Sequence, residues 1–173
     1  MTEQNPLLEK FVNKDQSVPF DRIQVSHFLP AIDEAIVRAK KNIETIKRNN
    51  AEPTFENTIV ALETCSELVE RVAGIYGNLE SANTSEPLQA LAKEIYPKFA
   101  AFGSDVSLDS EIFQKVKVVY DKRTSLDLSK EQLKLLEKSY LSFARNGALL
   151  DEAGKQKLRG IDQELSVLGP QFS

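Results

Sequence analysis

An all-α fold, an antiparallel bundle of about six helices, is what this sequence predicts. Three observations carry that expectation. Apolar residues recur every three or four positions along most of the chain, the spacing of amphipathic helices. Alternating β-branched runs are absent, and Gly and Pro number seven each. Short polar clusters rich in cap residues separate the periodic stretches, and short connections favour antiparallel neighbours.

The first thirteen or so residues and "QSVPFDRIQV" read as irregular. A first helix is expected from a Ser26 cap to about Asn49, with Phe28, Ile32, Ile36, Ala39, Ile43 and Ile46 inward. Pro30 then falls in the first turn, where its missing N–H costs nothing. "NNAEP" breaks the chain. The second helix opens with "PTFENTIVALE": Thr54 suits the cap, and Glu56 suits the positive end of the helix dipole. Its stripe runs through Phe55, Ile59, Leu62, Cys65, Val69, Val72, Tyr76 and Leu79. Val60, Leu68 and Ile75 widen it, so more than one neighbour is expected. Some 25 residues correspond to about 38 Å of helix. Gly74 and Gly77 are read as places where another backbone comes close.

Ser85 and Pro87 begin a third helix bearing Leu88, Leu91, Ile95 and Phe99, with Pro97 expected to bend or interrupt it. "FGSDVSLDS" reads as a loop whose Asp109 caps a short fourth helix carrying Ile112, Phe113, Val116, Val119 and Tyr120. Ser129 and Gln132 form the capping box of a fifth helix, lined by Leu133, Leu136, Tyr140 and Phe143. Gly147 suits the left-handed position that stops it. A sixth helix from about Asp151 places Leu158, Ile161, Leu165, Leu168 and Phe172 on one face. Gly169-Pro170 reads either as a stop or as a kink inside a helix that continues in a longer protein.

At 173 residues the chain is one domain, or part of a larger one, able to bury roughly 70% of its unfolded surface. Apolar residues make up 41% and charged residues 28%, an ordinary globular balance. No stretch approaches the ~20 apolar residues of a bilayer span. "MTEQNPLLEK" lacks a basic region followed by an apolar core, and the single Cys65 precludes an intrachain disulfide. A cytoplasmic location is the expectation. A net charge of −4 argues against nucleic-acid binding. The basic stretch "RAKKNIETIKRNN" reads as the wet side of the first helix, with Ile43 and Ile46 on the dry side.

Known chemistries find few parts here. A zinc site on H-E-x-x-H needs two histidines one turn apart, and His27 is the single histidine; it reads as a capping or partly buried structural residue. Cys65, on an apolar stripe, reads as a buried inert thiol. Neither a nucleophile elbow nor a phosphate-binding glycine loop is present, and "DEAGKQ" lacks the earlier glycine of such a loop. The pairs Asp33-Glu34 and Asp151-Glu152 point about 100° apart on a helix and make no site by themselves. No catalytic, cofactor-binding or metal residue is assigned in this chain.

Six segments appear in order: "NPLLEKF", "VPFDRIQVSHFLPAIDEAI", "PTFENTIVALE", "LQALAKEIYPKFA", "LLEKSYLSFARNGALL" and "LSVLGPQFS". Together they resemble the N-terminal region of the thimet oligopeptidase and oligopeptidase A family of zinc metallopeptidases. "SLDLSKEQLKLLE" and "ANTSEPLQAL" lean towards its bacterial peptidyl-dipeptidases. The resemblance implies that residues 1–173 are a non-catalytic N-terminal helical domain that helps wall a substrate channel. Zinc, held by H-E-x-x-H and a later Glu, would lie in a C-terminal catalytic domain outside this chain, which would be the partner of this segment. Short peptides would be the substrates, with no nucleic acid and no membrane involved. None of the family's catalytic positions maps here; Phe55, Glu56, Asn57 and Arg145 to Gly147 read as a helix start and a helix stop. An oligopeptidase A-type endopeptidase segment and a free-standing helical interaction module are the alternatives. If a partner half exists, apolar helix faces should lack cover, in patches beyond the roughly 600 Å² usual for a monomer.

Overall fold

The computed structural model describes residues 5–12, 15 and 17–168. Its described elements are helical: α1 (Val25–Arg48), α2 (Ala61–Thr64), α3 (Glu67–Ala82), α4 (Glu86–Ser107), α5 (Ser110–Asp121), α6 (Lys130–Arg145) and α7 (Glu152–Leu168). A π-helical turn, Phe55–Val60, runs directly into α2. The expected plan of about six helices therefore holds, with the second realised as three consecutive pieces. Among the described residues there is no strand.

α1 is the spine of the molecule, because its stripe divides between two apolar clusters. At its start, Phe28, Ala31 and Ile32 pack with Leu7 of the N-terminal turn, Val72, Ile75 and Tyr76 of α3, and Leu88 and Ile95 of α4. At its end, Ala39, Ile43 and Ile46 pack with Phe55 and Ile59 of the π turn, Ile112, Val116 and Val119 of α5, and Leu136 of α6. Ile36, Leu68 and Phe99 touch both clusters. Aromatic rings finish the joints: Phe28 meets Tyr76 edge-on at 5.4 Å, and Tyr120 stacks on Tyr140 at 3.9 Å.

Caps decide where the helices begin. Thr54 Oγ1 accepts from the Asn57 N–H at 3.1 Å, and Asn57 Oδ1 accepts from the Thr54 N–H at 2.8 Å. Ser129 and Gln132 make the same reciprocal pair at 3.2 and 2.9 Å. Asp109 Oδ1 accepts from the N–H groups of Glu111 and Ile112. Each cap satisfies backbone donors that the first turn leaves without an internal partner. Gly147, at φ +95°, stops α6 with the Ala148 N–H reaching back to the Phe143 carbonyl at 3.0 Å, the six-to-one bond of a left-handed helix stop. Asp151 then opens α7, its Oδ1 accepting from the Gly154 N–H at 2.8 Å.

Several expectations need correction. α1 starts one residue before Ser26, after Gln24, whose N–H donates to His27 Nδ1 at 3.0 Å. Pro30 therefore lies in the second turn, and the Ser26 carbonyl has no N–H four residues on to receive. The second helix is not continuous. It breaks at Cys65-Ser66, where Asn42 Nδ2 donates to the Cys65 carbonyl at 3.1 Å and takes over an acceptor freed by the break. Gly74 and Gly77 admit no neighbouring backbone: a Cβ on either would meet nothing within 4 Å. Pro97 does not interrupt α4, and most of the expected loop "FGSDVSLDS" is helix as far as Ser107. Phe102, Ser104 and Leu108 are buried there, so packing overrides the turn-forming composition. On the sixth helix, Ile161, Leu165 and Leu168 are exposed rather than inward; Phe172 and Gly169-Pro170 lie outside the described residues.

Candidate functional site

A concavity lies between α4 and α7, with the end of α3 at one side. It is an open groove of about 1470 Å³. Two amphipathic helices that pack on each other, α4 and α7, supply most of its lining. Phe99, Ala100, Leu158 and Leu165 give it an apolar lining, while Glu80, Lys93, Arg145 and Asp162 bring charge to its sides. At its base Ser104 Oγ donates to Asp162 Oδ2 at 2.8 Å, tying α4 to α7.

At the α3 end the Tyr96 hydroxyl donates to Glu80 Oε2. The buried Tyr76 hydroxyl donates to the Leu88 carbonyl at 2.8 Å, with Glu80 Oε1 at 3.4 Å. Burial first, then the hydrogen bond to Glu80, pushes Tyr96 up to about 12. Burial, with the negative Glu80 beside it, pushes Tyr76 well above the ordinary tyrosine range. Both phenols are thus neutral donors at ordinary pH, not bases. Their chemistry is to fix the end of α3 against α4.

The sequence-predicted residues are scattered. His27 caps α1, as its position suggested. Cys65 is buried at the α2–α3 break, and burial raises its thiol above the ordinary range, which disfavours the nucleophilic thiolate. Asp33 pairs with Lys98 at 2.6 Å and Glu34 with Arg38 at 2.7 Å. Asp151 is a cap. The basic face of α1 is pinned to its neighbours: Lys40 to Asp105 at 2.7 Å, and Lys47 to Asp109 at 2.9 Å. The structure brings none of these together with the groove.

Sequence reasoning missed three structural pieces. The Thr54-x-x-Asn57 spacing matches a capping box with Asn in the third position, so that signal was available. Arg71, which donates to the Leu7 carbonyl at 3.0 Å and lies 4.8 Å over the Phe11 ring, clasps the N-terminal arm with no local signature. Lys155 is only 3% exposed, its ammonium on Ser110 Oγ and 3.4 Å from Glu152. A lysine in a helical pattern gives no sign of such burial.

Comparison with known proteins places this framework. The chain is 35% identical over 169 residues to the dipeptidyl carboxypeptidase of Salmonella typhimurium, covering 98% of this chain and 25% of that protein. It is 34% identical over 173 residues to the dipeptidyl carboxypeptidase of Escherichia coli, covering 100% of this chain and 25% of that protein. Oligopeptidase A of Escherichia coli is 24% identical over 169 residues, again 98% of this chain and 24% of the relative. No protein-family model matches the chain. The chain matches the family of the dipeptidyl carboxypeptidases and oligopeptidase A along its whole length, and spans about a quarter of the length of the relatives it matches.

That family implies zinc, and the residues present do not fit it. His27 is the single histidine, and its Nδ1 is engaged by the Gln24 N–H. Among the described residues no three His, Cys, Asp or Glu side chains converge. No helix of the described residues is long and apolar enough to cross a membrane.

Proposed function

We propose that residues 1–173 are the N-terminal, non-catalytic helical domain of a cytoplasmic, zinc-dependent peptidyl-dipeptidase, an enzyme that removes C-terminal dipeptides from short peptides. The observation that carries this reading is the match along the whole chain to two dipeptidyl carboxypeptidases of which it spans only a quarter. The reacting groups then lie in polypeptide outside this segment, and the segment contributes framework. Its rigid double cluster around α1 suits a wall that limits access to a channel, and its catalytic partner would be the remaining three quarters of the protein.

The experiment uses the complete reading frame. Its product is expected to contain H-E-x-x-H, to lose activity on chelation, and to regain it with zinc. It should release dipeptides stepwise from the C-terminus of a blocked hexapeptide, whereas the 173-residue chain alone should release none. Internal cleavage without stepwise dipeptide release would favour an oligopeptidase A-type endopeptidase, the reading that the 24% identical relative supports. A reading frame that closes at Ser173 would leave a free-standing interaction module.

A further inference from the structure

His27, the single histidine of the chain, stands at the start of α1 with its ring committed. The Gln24 N–H donates to His27 Nδ1 at 3.0 Å, so Nδ1 holds the lone pair of the neutral ring and Nε2 carries the hydrogen. The same residue ties down an N-terminal arm, residues 5–12. Asn5 Nδ2 donates to the His27 carbonyl at 2.8 Å, and Asn5 Oδ1 accepts from the Leu7 N–H at 3.1 Å. Leu7 is fully buried in the cluster that holds Phe28 and Ile32. One residue therefore joins the first turn of α1, through its ring, to the arm, through its carbonyl. The surroundings make that ring sensitive to charge. α1 opens with no acidic residue in its first turn, and a cation is disfavoured at the positive end of a helix. Pro30 removes a backbone bond from the same stretch, so the start leans on its cap. Of the charged groups around it, Glu9 of the arm pairs with Arg22 at 3.1 Å. Arg71 of α3 is held on the Leu7 carbonyl and the Phe11 ring. Asp33, further along α1, pairs with Lys98 of α4 at 2.6 Å. Lys10 and Asp21 are exposed. Among the described residues no carboxylate forms an ion pair with the imidazole that would compensate a positive ring.

We infer that His27 is an acid-sensitive latch on the N-terminal arm: uptake of a proton at Nδ1 opens the cap of α1 and frees residues 5–12. The neutral ring has one lone pair, on Nδ1, and the Gln24 N–H occupies it. A proton can therefore enter only where that bond is broken, after which two N–H groups face each other and the first turn loses its cap. The Asn5 anchor sits on the carbonyl of that same turn, so loosening the turn loosens the arm. The latched corner binds fewer protons than the released one. Its stability is complete above the range in which histidine titrates and falls as pH drops through that range. Because histidine is the one side chain whose ordinary charge change falls between about pH 5 and pH 8, and this chain has a single histidine, the response belongs to one group. Cys65, the other side chain that could intrude, is pushed up by burial and away from this window. The latch does not depend on the peptidase reading.

Amide hydrogen exchange of the unaltered 173-residue chain tests this, read as protection factors so that the intrinsic pH dependence of exchange cancels. The reporters are Gln24, Leu7 and Leu8, whose N–H groups are held by His27 Nδ1, Asn5 Oδ1 and the Asn5 carbonyl. Leu136, buried in α6, is the reference. Between about pH 7.5 and about pH 5.5, a window that spans histidine titration, the protection of all three reporters is expected to fall. The expected fall is about fivefold, the loss of one cap, with Leu136 unchanged. His27→Gln should keep its protection at both pH values, because a carboxamide oxygen accepts without titrating, as Gln132 does from the Ser129 N–H at the start of α6. Constant protection in the unaltered chain would overturn the latch. So would a fall at Gln24 alone, which would make the arm independent of the cap, and so would an equal fall in His27→Gln, which would assign the response to another group. If His27→Gln fails to fold, His27→Asn takes its place, since Asn57 fills the same capping position after Thr54.

Discussion

α1 and α7 are written in the same pattern and end in opposite circumstances. Each carries an apolar stripe at steps of three and four. In α1, the side chains of Phe28, Ile32, Ala35, Ala39, Ile43 and Ile46 are all buried. In α7, Ile161, Leu165 and Leu168 are exposed, and the one buried residue is Lys155. The stripe of α1 meets α3, α4, α5 and the N-terminal turn, whereas α7 packs chiefly on α4 and turns its stripe away. Helical periodicity thus states that a face is built to be covered, and leaves open what covers it. The hydrophobic gain follows area removed from water, and for α7 that removal is not completed within these residues.

The largest expected effect tests the comparison directly. Ile32→Ala should destabilise the chain by about 3 kcal/mol, as large-to-small changes in closed cores do, whereas Leu165→Ala should shift stability by no more than about 0.5 kcal/mol, as at an open surface. Urea unfolding of the 173-residue chain reads both. A cost for Leu165→Ala approaching that of Ile32→Ala would break the contrast.

Next comes the turn that joins α6 to α7. A Cβ on Gly147 would sit 2.6 Å from Leu158 Cδ2 and 3.0 Å from Leu108 Cδ2, at φ +95°. Gly147→Ala should therefore cost about 2 kcal/mol through backbone strain and crowding. It should loosen α7 more than α1, which hydrogen exchange of the two helices would show as unequal acceleration. Equal acceleration would mean that the two regions unfold as one.

Caps come third. Ser129→Ala should cost about 1 kcal/mol, with Ser129→Asn recovering most of it, since asparagine supplies an equivalent acceptor. Thermal unfolding distinguishes the pair, and a neutral Ser129→Ala would show that the α6 start is fixed by packing alone.

The smallest effect is electrostatic and belongs to the closed region. Burial works against the Asp109 carboxylate, but Lys47 and two backbone N–H groups outweigh it and hold its pKa below the ordinary value of 3.8. Lys47 is correspondingly raised, chiefly by its hydrogen bond to Asp109. Because the folded pKa of Asp109 is depressed, its stabilisation is complete above the unfolded value near 3.8 and disappears as pH falls through the lower folded value. Asp109→Asn keeps a cap acceptor and loses the ion pair, so it should cost about 0.5 kcal/mol at pH 7. The gap from the unaltered chain should close as pH falls below 4. A gap constant from pH 7 to pH 2 would assign the effect to the cap instead.

Much of the framework was legible. The starts at Thr54, Asp109, Ser129 and Asp151 and the stop at Gly147 are local devices, settled by residues within about five positions of one another, and the structure shows each in use. The stripe of α1 was legible too, because the cover it needs is present. The groove was not: Tyr96, Ser104 and Asp162 come from separate helices, and nothing in their local sequence says that they meet. Nor was the helical state of residues 102–107, where Gly103, Ser104 and Asp105 argue for a turn until Phe102 and Leu108 are buried.

By itself, the sequence determined that the chain is helical, where most helices begin and end, and which face of each is apolar, since capping and periodicity act over one or two turns. Tertiary structure decided the rest: the break at Cys65-Ser66, the uninterrupted α4, the burial of Lys155 and the open face of α7. These depend on which surfaces meet across the fold, and burial is a property of pairs of elements that no single stretch of chain encodes.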